Sequence, residues 1–315
     1  MRIVIVGPGA LGSLLTARLF LFQQETAGTG NDILSLHLLD YRPERSENLQ
    51  KNGLLFEEEG HKILCTPQVT LDPEVCVSSD VLFFCVKSIA VTSALGRLKP
   101  YLSRRSLLLA MQNGIGHLEE IQHAAFPAGV GITSEGATLM HPGHVRHGGR
   151  GITRLGLLTG HTDRSERVLQ KTTALLDSAG MRAEVTRNPL KHIWAKLFVN
   201  VGINALTALH GCRNGELLRV PSTVAIMEKA VKEAELVARA RGIPVDADPV
   251  QATITVCRTT ANNTSSMLQD VLQKRMTEID AINGAVVAEG VKLGIATPVN
   301  TEIVRRIKEL EASYV

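Results

Sequence analysis

A lysine and two asparagines stand inside an otherwise apolar stretch near the middle of the chain, IWAKLFVNVGINALTAL, residues 193–209. At about 100° per residue on a helix, Lys196, Asn200 and Asn204 lie at about 0°, 40° and 80° around the axis, and Thr207 lies at about 20°. This polar stripe is narrower than the polar face of an ordinary surface helix. We interpret it as the wall of a cleft, where burial lowers the pKa of a lysine toward the range useful for proton transfer. The alternative is a solvated face from which the lysine extends into bulk water.

An acidic neighbour would keep such a lysine charged, and candidates follow in SSMLQDVLQKRMTEIDAING, residues 265–284. Glu278 falls within the helical run predicted there, and Asp280 and Asn283 could serve similarly, because periodicity does not choose among them. Ser266 begins an S-x-x-Q capping-box pattern, so it is either the N-cap of this helix or a binding residue.

The N-terminus carries a glycine-rich loop, GPGALG, between a predicted strand and a predicted helix. Gly7 permits a tight turn, Gly9 lets the backbone approach a pyrophosphate, and Gly12 lets the helix pack closely on the strand. Ala10 and Leu11 open the helix, whose free N–H groups and partial positive charge favour phosphate. The pattern predicts a dinucleotide site, and the alternatives are a tight turn without a ligand or an S-adenosylmethionine site.

Residues after the later predicted strands bear on the choice of cofactor. Asp40 ends the second strand, where an acid binds a ribose 2′-OH and favours NAD, whereas Arg42 and Arg45 could hold the 2′-phosphate of NADP. Lys87 and Asn113 also follow strands, at the edge where open α/β sheets bind ligands. Each is alternatively an ordinary loop or turn residue.

Short β-branched strands alternate with helices in the first half of the chain, which predicts βαβ units and a parallel sheet. The predicted strands are residues 2–7, 35–40, 62–66, 81–86 and 106–111. Pro-Gly and Gly-Gly pairs between Met140 and Leu155 predict a hairpin that closes this sheet. A long loop is expected at Gln23–Asp32.

From about Asn188 the pattern becomes helical, with Pro189 in a first turn and an amphipathic helix that ends at Gly242. The predicted fold class is therefore α/β. We expect a Rossmann-type dinucleotide-binding domain over residues 1–186 and an all-α C-terminal domain over residues 187–315.

Composition excludes several function classes. A net charge of +3 and a single Trp do not predict a basic groove with stacking aromatics, so no nucleic-acid partner is expected. Five cysteines without CxxC spacing are typical of reduced thiols, and no metal site is predicted. The first predicted strand begins almost at once and leaves no room for a signal peptide, and no apolar run predicts a membrane span. A cytoplasmic location is expected.

Taken in order, five motifs resemble the ketopantoate reductases (2-dehydropantoate 2-reductases) along nearly the whole chain: GPGALG, CVKS, MQNG, WAKLFVNVGINALTAL with GCRNGEL, and SSMLQDVLQKRMTEID. The resemblance implies NADPH-dependent reduction of 2-dehydropantoate to (R)-pantoate, on the route to pantothenate and coenzyme A. It also implies an active site in a cleft between the two domains. The expected partners are a small-molecule 2-oxo acid and a second copy of the chain in a homodimer.

The resemblance also implies roles for individual residues. Lys196 would be the general acid for the ketone oxygen, Glu278 would bind a substrate hydroxyl, and Asn113 would orient the lysine and the nicotinamide. The implied substrate ligands are Asn113, Asn200, Asn204, Asn214 and Ser266. The implied cofactor residues are Gly7, Gly9, Ala10, Leu11, Gly12, Asp40, Arg42, Lys87 and Asn113.

Two departures from the family pattern, Asp40 and the long loop before its strand, keep NADH open as the cofactor. One alternative function is therefore an NAD-dependent reductase of another 2-oxo acid. The other is a sensor that binds a dinucleotide without catalysis, although a sensor needs no proton donor.

Overall fold

The computed structural model of the chain describes residues 1–27, 33 and 35–314. They form two compact units, one of Met1–Gln112 with Leu118–Pro189 and one of Asn113–His117 with Leu190–Val315. The short segment 113–117 thus belongs to the second unit, which a single boundary near residue 186 does not capture.

The described part of the chain contains twelve strands. They are β1 (Arg2–Val6), β2 (Ser35–Leu39), β3 (Leu54–Glu58), β4 (His61–Cys65), β5 (Gln68–Thr70), β6 (Val81–Phe84), β7 (Leu107–Ala110), β8 (Ala128–Thr133), β9 (Gly136–His141), β10 (His144–Gly149), β11 (Thr153–Thr159) and β12 (Ala183–Val185).

The helices of the first unit are α1 (Ala10–Glu25), α2 (Pro43–Asn52), α3 (Val91–Leu98), α4 (Leu118–Gln122) and α5 (Asp163–Ser178). The second unit is built from α6 (Pro189–His210), α7 (Pro221–Ala240), α8 (Pro249–Thr259), α9 (Ser266–Leu272), α10 (Asn283–Leu293) and α11 (Pro298–Ala312). Short 3₁₀ helices lie at Pro73–Cys76, Ser88–Ala90, Lys99–Tyr101, Asn214–Arg219 and Ile279–Ala281.

The main sheet of the first unit has the order β12-β11-β8-β7-β6-β1-β2-β5. All neighbours are parallel except β8 and β11, so the predicted α/β class with a parallel sheet is confirmed. The central strands β6 and β7 are buried throughout, as expected for strands covered on both faces. Val6 lies beside Leu39 and Phe84 in the register, so the loops after β1, β2 and β6 leave the sheet at the same edge.

A second sheet of the first unit has the order β4-β3-β10-β9, and it corrects two predictions. The hairpin predicted between Met140 and Leu155 exists as β9 and β10, but it pairs with β3 and does not close the parallel sheet. The strand predicted at residues 62–66 is β4, which pairs with β3 in the same small sheet. Buried and exposed residues are mixed in β10, and β4 is mostly exposed, as in sheets with one solvated face.

A buried ion cluster joins α1 to this small sheet. His147 lies between two carboxylates, with its Nε2 2.6 Å from Glu135 and its Nδ1 2.7 Å from Glu58. Arg18 of α1 forms an ion pair with Glu58 and stacks over the ring of Phe56, 5.0 Å from its centroid. The hydrogen bond to Glu135, followed by the one to Glu58, raises the pKa of His147 despite its burial.

The glycine-loop helix α1 is longer than predicted. It runs to Glu25, so the loop expected at Gln23–Asp32 is helical over its first three residues. Residues 28–32 of that predicted loop lie outside the described residues.

In the second unit, α6 begins at Pro189 as predicted and supplies much of the core. Trp194, Leu197 and Val201 are each at most 1% exposed. The amphipathic helix α7 ends at Ala240, two residues before Gly242 at φ +75°. None of the helices that the structure describes is long and apolar enough to cross a membrane.

Candidate active site

The polar stripe of α6 lies largely inside the protein. Asn200 is 9% exposed, Asn204 is 7% exposed and Thr207 is fully buried, while Lys196 is half-buried. The hydroxyl of Thr207 donates to carbonyl oxygens in the preceding turn of its own helix. The burial of these side chains argues against the alternative of a fully solvated face, and the cleft wall stays a prediction.

Electrostatics single out the lysine of this stripe. Burial lowers the pKa of Lys196 to about 8, and the negative charge of Glu278 opposes that fall. An ammonium group with a pKa near the working pH can both stabilise a developing negative charge and donate a proton.

The structure distinguishes among the three candidate partners of this lysine. Glu278 is the acid whose charge acts on it. Asp280 is exposed and pairs with Lys308 at 2.5 Å, and Asn283 is buried, where its amide donates to Asn300 Oδ1 at 3.0 Å. The prediction that placed Glu278 in a helical run is wrong, because α9 ends at Leu272 and the glutamate directly precedes the one-turn helix 279–281.

Asn113 is held against the same carboxylate. Its Nδ2 donates to Glu278 Oε2 at 3.1 Å. The backbone N–H of Ile115 donates to the carbonyl oxygen of Ala281 at 2.9 Å. Gly114 has a φ of +80°, and a Cβ there would lie 2.0 Å from the same carbonyl oxygen. Segment 113–117 therefore fixes Asn113 beside Glu278 through close backbone packing that only glycine allows.

Two amide atoms of the predicted substrate ligands are buried without a partner among the described residues. They are Nδ2 of Asn200 and Oδ1 of Asn214. The Nδ2 of Asn214 donates to Thr260 Oγ1 at 2.9 Å, so that side chain is oriented while its oxygen stays open. Unsatisfied buried polar atoms are rare and costly, and a polar ligand would satisfy them.

The two serines at the start of α9 differ from the prediction in which of them caps the helix. Ser265, not Ser266, is the N-cap, and its Oγ accepts from the N–H of Leu268 at 3.1 Å. The same hydroxyl lies 2.7 Å from Thr207 Oγ1 and so links the cap to the stripe of α6. Ser266 is exposed in the first turn of α9 and is therefore not needed as a cap. The capping-box pattern pointed to the wrong one of two adjacent serines.

His117 is a buried ionisable group of the second unit that the sequence did not single out. It is 5% exposed, and its Nδ1 has no hydrogen-bond partner within the described ranges. Burial lowers the pKa of His117 to about 4. It is therefore neutral near pH 7 and does not compete with the lysine as a proton donor.

In the first unit, the connection from β1 into the first turn of α1 contains two glycines that its own packing requires. Gly7 has a φ of +96°, and a Cβ on Gly12 would lie 2.1 Å from the carbonyl oxygen of Gly7. Gly9 differs, because among the described residues its Cβ would meet the carbonyl oxygen of Cys85 at 3.8 Å, an ordinary contact. The chain does not need glycine there, but a ligand approaching the N-terminus of α1 at Ala10 would.

The acid after β2 is already engaged. The side chain of Asp40 is fully buried, and Arg45 donates to it from Nε at 2.6 Å and from Nη2 at 2.5 Å. The backbone N–H groups of Tyr41 and Arg42 also donate to its Oδ1, at 2.7 and 3.2 Å. Arg42 is exposed, with its guanidinium carbon 5.6 Å from the centroid of the Tyr41 ring. Of the two arginines that could meet a phosphate, Arg42 is the accessible one.

A cavity of about 320 Å³ lies at this edge of the first unit. Its walls include Asp40, Tyr41, Leu71, Arg97 and Tyr101. The last three were missed by the sequence analysis, because no motif marks them and Arg97 reads as an ordinary basic residue in the last turn of α3. A cavity with apolar walls, a guanidinium group and a phenol ring can hold a flat aromatic ring.

The loops after β6 and β7 lie at the same edge of the sheet. Lys87 is half-buried at the N-cap of the one-turn helix Ser88–Ala90. The side chain of Gln112 donates to the carbonyl oxygens of Phe84 and Val86, at 2.7 and 2.9 Å. The predicted cofactor residues of this unit therefore all lie where open α/β sheets bind their ligands.

Family models match both parts of the chain. The model described as Ketopantoate reductase PanE/ApbA matches residues 3–160, and the model described as Ketopantoate reductase PanE/ApbA C terminal matches residues 188–311. A 2-dehydropantoate 2-reductase of Halobacterium salinarum is 36% identical over 302 residues, covering 95% of each chain. One of Vibrio cholerae serotype O1 is 33% identical over 319 residues, covering 100% of this chain and 99% of its own.

Solved structures agree with these matches. A PanE/ApbA family ketopantoate reductase of Ralstonia eutropha superposes with a TM-score of 0.87 at 28% identity, covering 100% of this chain and 99% of its own. A D-mandelate dehydrogenase with NADH and anilino(oxo)acetate also gives a TM-score of 0.87, at 26% identity with the same coverage. The resemblance predicted from the sequence is confirmed.

Proposed function

Because the chain belongs to the ketopantoate reductase family, we propose that it reduces 2-dehydropantoate to (R)-pantoate with NADPH. Family membership makes it an NAD(P)H-dependent oxidoreductase, so the alternative of a non-catalytic sensor is not retained. The observation that carries the proposal is the electrostatic setting of Lys196: burial lowers its pKa to about 8, and the negative charge of Glu278 opposes that fall.

The cofactor is a nicotinamide dinucleotide, and four features of the first unit fit it. Gly9 leaves room for a pyrophosphate at the N-terminus of α1, and Lys87 lies at the same edge of the sheet. The cavity beside Tyr41 has the size and the apolar walls for an adenine ring. Arg42 is exposed at the N-cap of α2 for a further phosphate.

The preference for NADPH rests on the state of Asp40. Four N–H groups converge on its carboxylate, two of them from Arg45, so its charge is compensated and its oxygen atoms are occupied. A ribose 2′-OH would compete with these donors, whereas a 2′-phosphate would gain the accessible guanidinium of Arg42. The departure from the family pattern at position 40 is therefore compatible with NADPH.

When bound, the nicotinamide supplies the hydride that reduces the ketone carbon. The negative charge that develops on the ketone oxygen is met by the ammonium group of Lys196, which donates its proton there. Proton transfer of this kind contributes about 10²–10⁴ in rate. The charge of Glu278 keeps the lysine protonated, and the hydrogen bond from Asn113, at 3.1 Å, holds that carboxylate in place.

Substrate selection follows from polar groups that the fold leaves open. Asn200 offers a buried N–H donor and Asn214 a buried carbonyl acceptor, each without a partner in the described part of the chain. Asn204 lies one turn along the same stripe, and Glu278 can accept a hydrogen bond from a substrate hydroxyl. 2-Dehydropantoate carries a hydroxyl, a ketone and a carboxylate, and a substrate without the hydroxyl would leave one of these groups unpaired. Ser266 directly follows Ser265 and is exposed. Its proposed contact with the substrate carboxylate rests on the family motif.

The direct test measures kcat/KM for two substrates, each with NADPH and with NADH. One is 2-dehydropantoate, and the other is the aromatic 2-oxo acid whose reduction gives mandelate. We expect 2-dehydropantoate with NADPH to be the best combination by at least about 10²-fold, since unpaired buried polar groups discriminate strongly. Better turnover of the aromatic acid with NADH would support the alternative function, for which the similarity to D-mandelate dehydrogenase is the motive.

A further inference from the structure

Two histidines face each other across the β9–β10 turn of the small sheet. Nδ1 of His144 lies 3.3 Å from Nε2 of His141, and the rings meet edge to face. His144 is 7% exposed, whereas His141 is exposed at the rim. The pair shares no residue with the candidate active site.

The outer nitrogen of each ring is committed as a donor. Nε2 of His144 lies 2.8 Å from Oε2 of Glu57, whose other oxygen accepts from Arg146 Nε at 2.7 Å. The hydrogen bond from Arg146 lowers the pKa of Glu57, so this carboxylate is ionised and accepts a hydrogen bond from the Nε2–H of His144. Nδ1 of His141 lies 3.2 Å from the carbonyl oxygen of Pro142, which can only accept.

The inner nitrogens therefore face each other as two lone pairs when both rings are neutral. That arrangement is repulsive unless a proton on one ring or a metal ion lies between them. Two bonds of about 2.0–2.1 Å to a tetrahedral zinc ion place their nitrogen atoms about 3.3–3.4 Å apart. The observed separation of 3.3 Å matches this value.

We propose that His141 and His144 chelate a divalent transition-metal ion of the Zn²⁺ type. The hydrogen bond from His144 to Glu57 is the carboxylate–imidazole contact that orients metal-binding histidines and raises their basicity. Among the described residues, no group of three or more His, Cys, Asp or Glu side chains could hold a metal ion, so solvent completes the coordination. The ion links the end of β9 to the start of β10 and stabilises their turn.

The test is a calorimetric titration of the full chain, without a histidine tag, with ZnCl₂ in a buffer that does not bind zinc. We expect one saturable site per chain that is lost in His141→Ala, an exposed position whose replacement leaves the core intact. Glu57→Gln keeps the stoichiometry but weakens binding by about 10–100-fold, because it removes the carboxylate behind the ligand. Zinc also raises the melting temperature of the wild-type chain, because it binds the native state, and it does not raise that of His141→Ala.

Two controls separate this site from unspecific binding. His161→Ala removes a histidine whose side chain is 60% exposed in the same unit, and it should leave the zinc isotherm unchanged. Mg²⁺, which prefers oxygen ligands, should give no isotherm. The proposal is overturned if the wild-type chain shows no saturable zinc binding, or if His141→Ala binds zinc as the wild type does.

Discussion

Replacement of Glu278 by glutamine should move the alkaline limb of the pH profile to lower pH. The substitution removes one negative charge and keeps an oxygen that can accept the hydrogen bond from Asn113. If Lys196 is the general acid proposed above, it donates its proton only while it is protonated, so activity should be full below its pKa and lost as pH rises through it. Burial lowers that pKa to about 8, and the charge of Glu278 is the contribution that raises it.

The size of the change follows from the neighbouring charge. An opposite charge at close range moves a pKa by about 1 to 3, and the lower value applies here because burial is the larger cause. Without Glu278 the pKa of Lys196 should therefore fall further, by about 1. At pH 8 the protonated fraction falls from about one half to about one tenth, an additional loss of about fivefold in rate.

The assay is kcat/KM for 2-dehydropantoate and NADPH as a function of pH, because this parameter reports the ionisation of the free enzyme. Asp280→Asn is the matched control, since it removes an exposed carboxylate two residues away that pairs with Lys308. We expect the limb to move in Glu278→Gln and to stay in Asp280→Asn. A limb at the wild-type position in both variants would refute the electrostatic coupling of Glu278 to Lys196.

Three further predictions concern the cofactor, the segment beside Glu278 and the small sheet. Arg42→Ala should raise the dissociation constant of NADPH about tenfold or more, because a charge-assisted contact is worth about 1.5–3 kcal/mol, and equal weakening of NADH in a fluorescence titration would contradict it. Gly114→Ala places a Cβ 2.0 Å from the Ala281 carbonyl oxygen, so it should lower the melting temperature far more than Gly60→Ala, where φ is +83° but no atom lies within 4 Å. Because carboxylate hydrogen bonds raise the pKa of His147, its contribution to stability is complete below about pH 6.5 and is lost as pH rises through the raised value. His147→Gln should remove this loss from urea unfolding curves measured across that range, and an unchanged pH dependence would show that another group causes it.

Local periodicity was enough to predict the polar stripe of α6. The positions of Lys196, Asn200 and Asn204 on one face depend only on the pitch of the helix and on a regular run without breakers. The glycine loop was predictable for the same reason, because Gly7 and Gly12 are required by packing between elements adjacent in sequence. The cytoplasmic location and the homodimer have no such local signal in the structure and stay predictions.

Long-range pairing was not predictable. β10 pairs with β3 in parallel although Val145 and its partner Phe56 are about ninety residues apart. The β9–β10 hairpin therefore belongs to a sheet that no local sequence pattern predicts. The secondary structure at Glu278 was predicted wrongly for a related reason. This residue lies in a short irregular segment between α9 and the one-turn helix 279–281, not in a long helix.

Side-chain pairing decided what the motifs left open. Asp40 and Arg45 were both plausible cofactor ligands in the sequence, and in the structure each is engaged by the other in an ion pair. Ser265 and Ser266 are adjacent and chemically identical, so only the backbone of α9 distinguishes the cap from its neighbour.

The most direct test of the central claim is the kcat of Lys196→Ala with 2-dehydropantoate and NADPH, beside the dissociation constant of NADPH. Loss of the general acid should lower kcat by about 10²–10⁴-fold, while cofactor affinity stays close to the wild-type value because the glycine loop is untouched. Lys191→Ala, which removes a lysine of the same helix that pairs with Asp246, serves as the matched control and should keep its kcat. A near-normal kcat in Lys196→Ala would contradict the assignment of Lys196 as the proton donor.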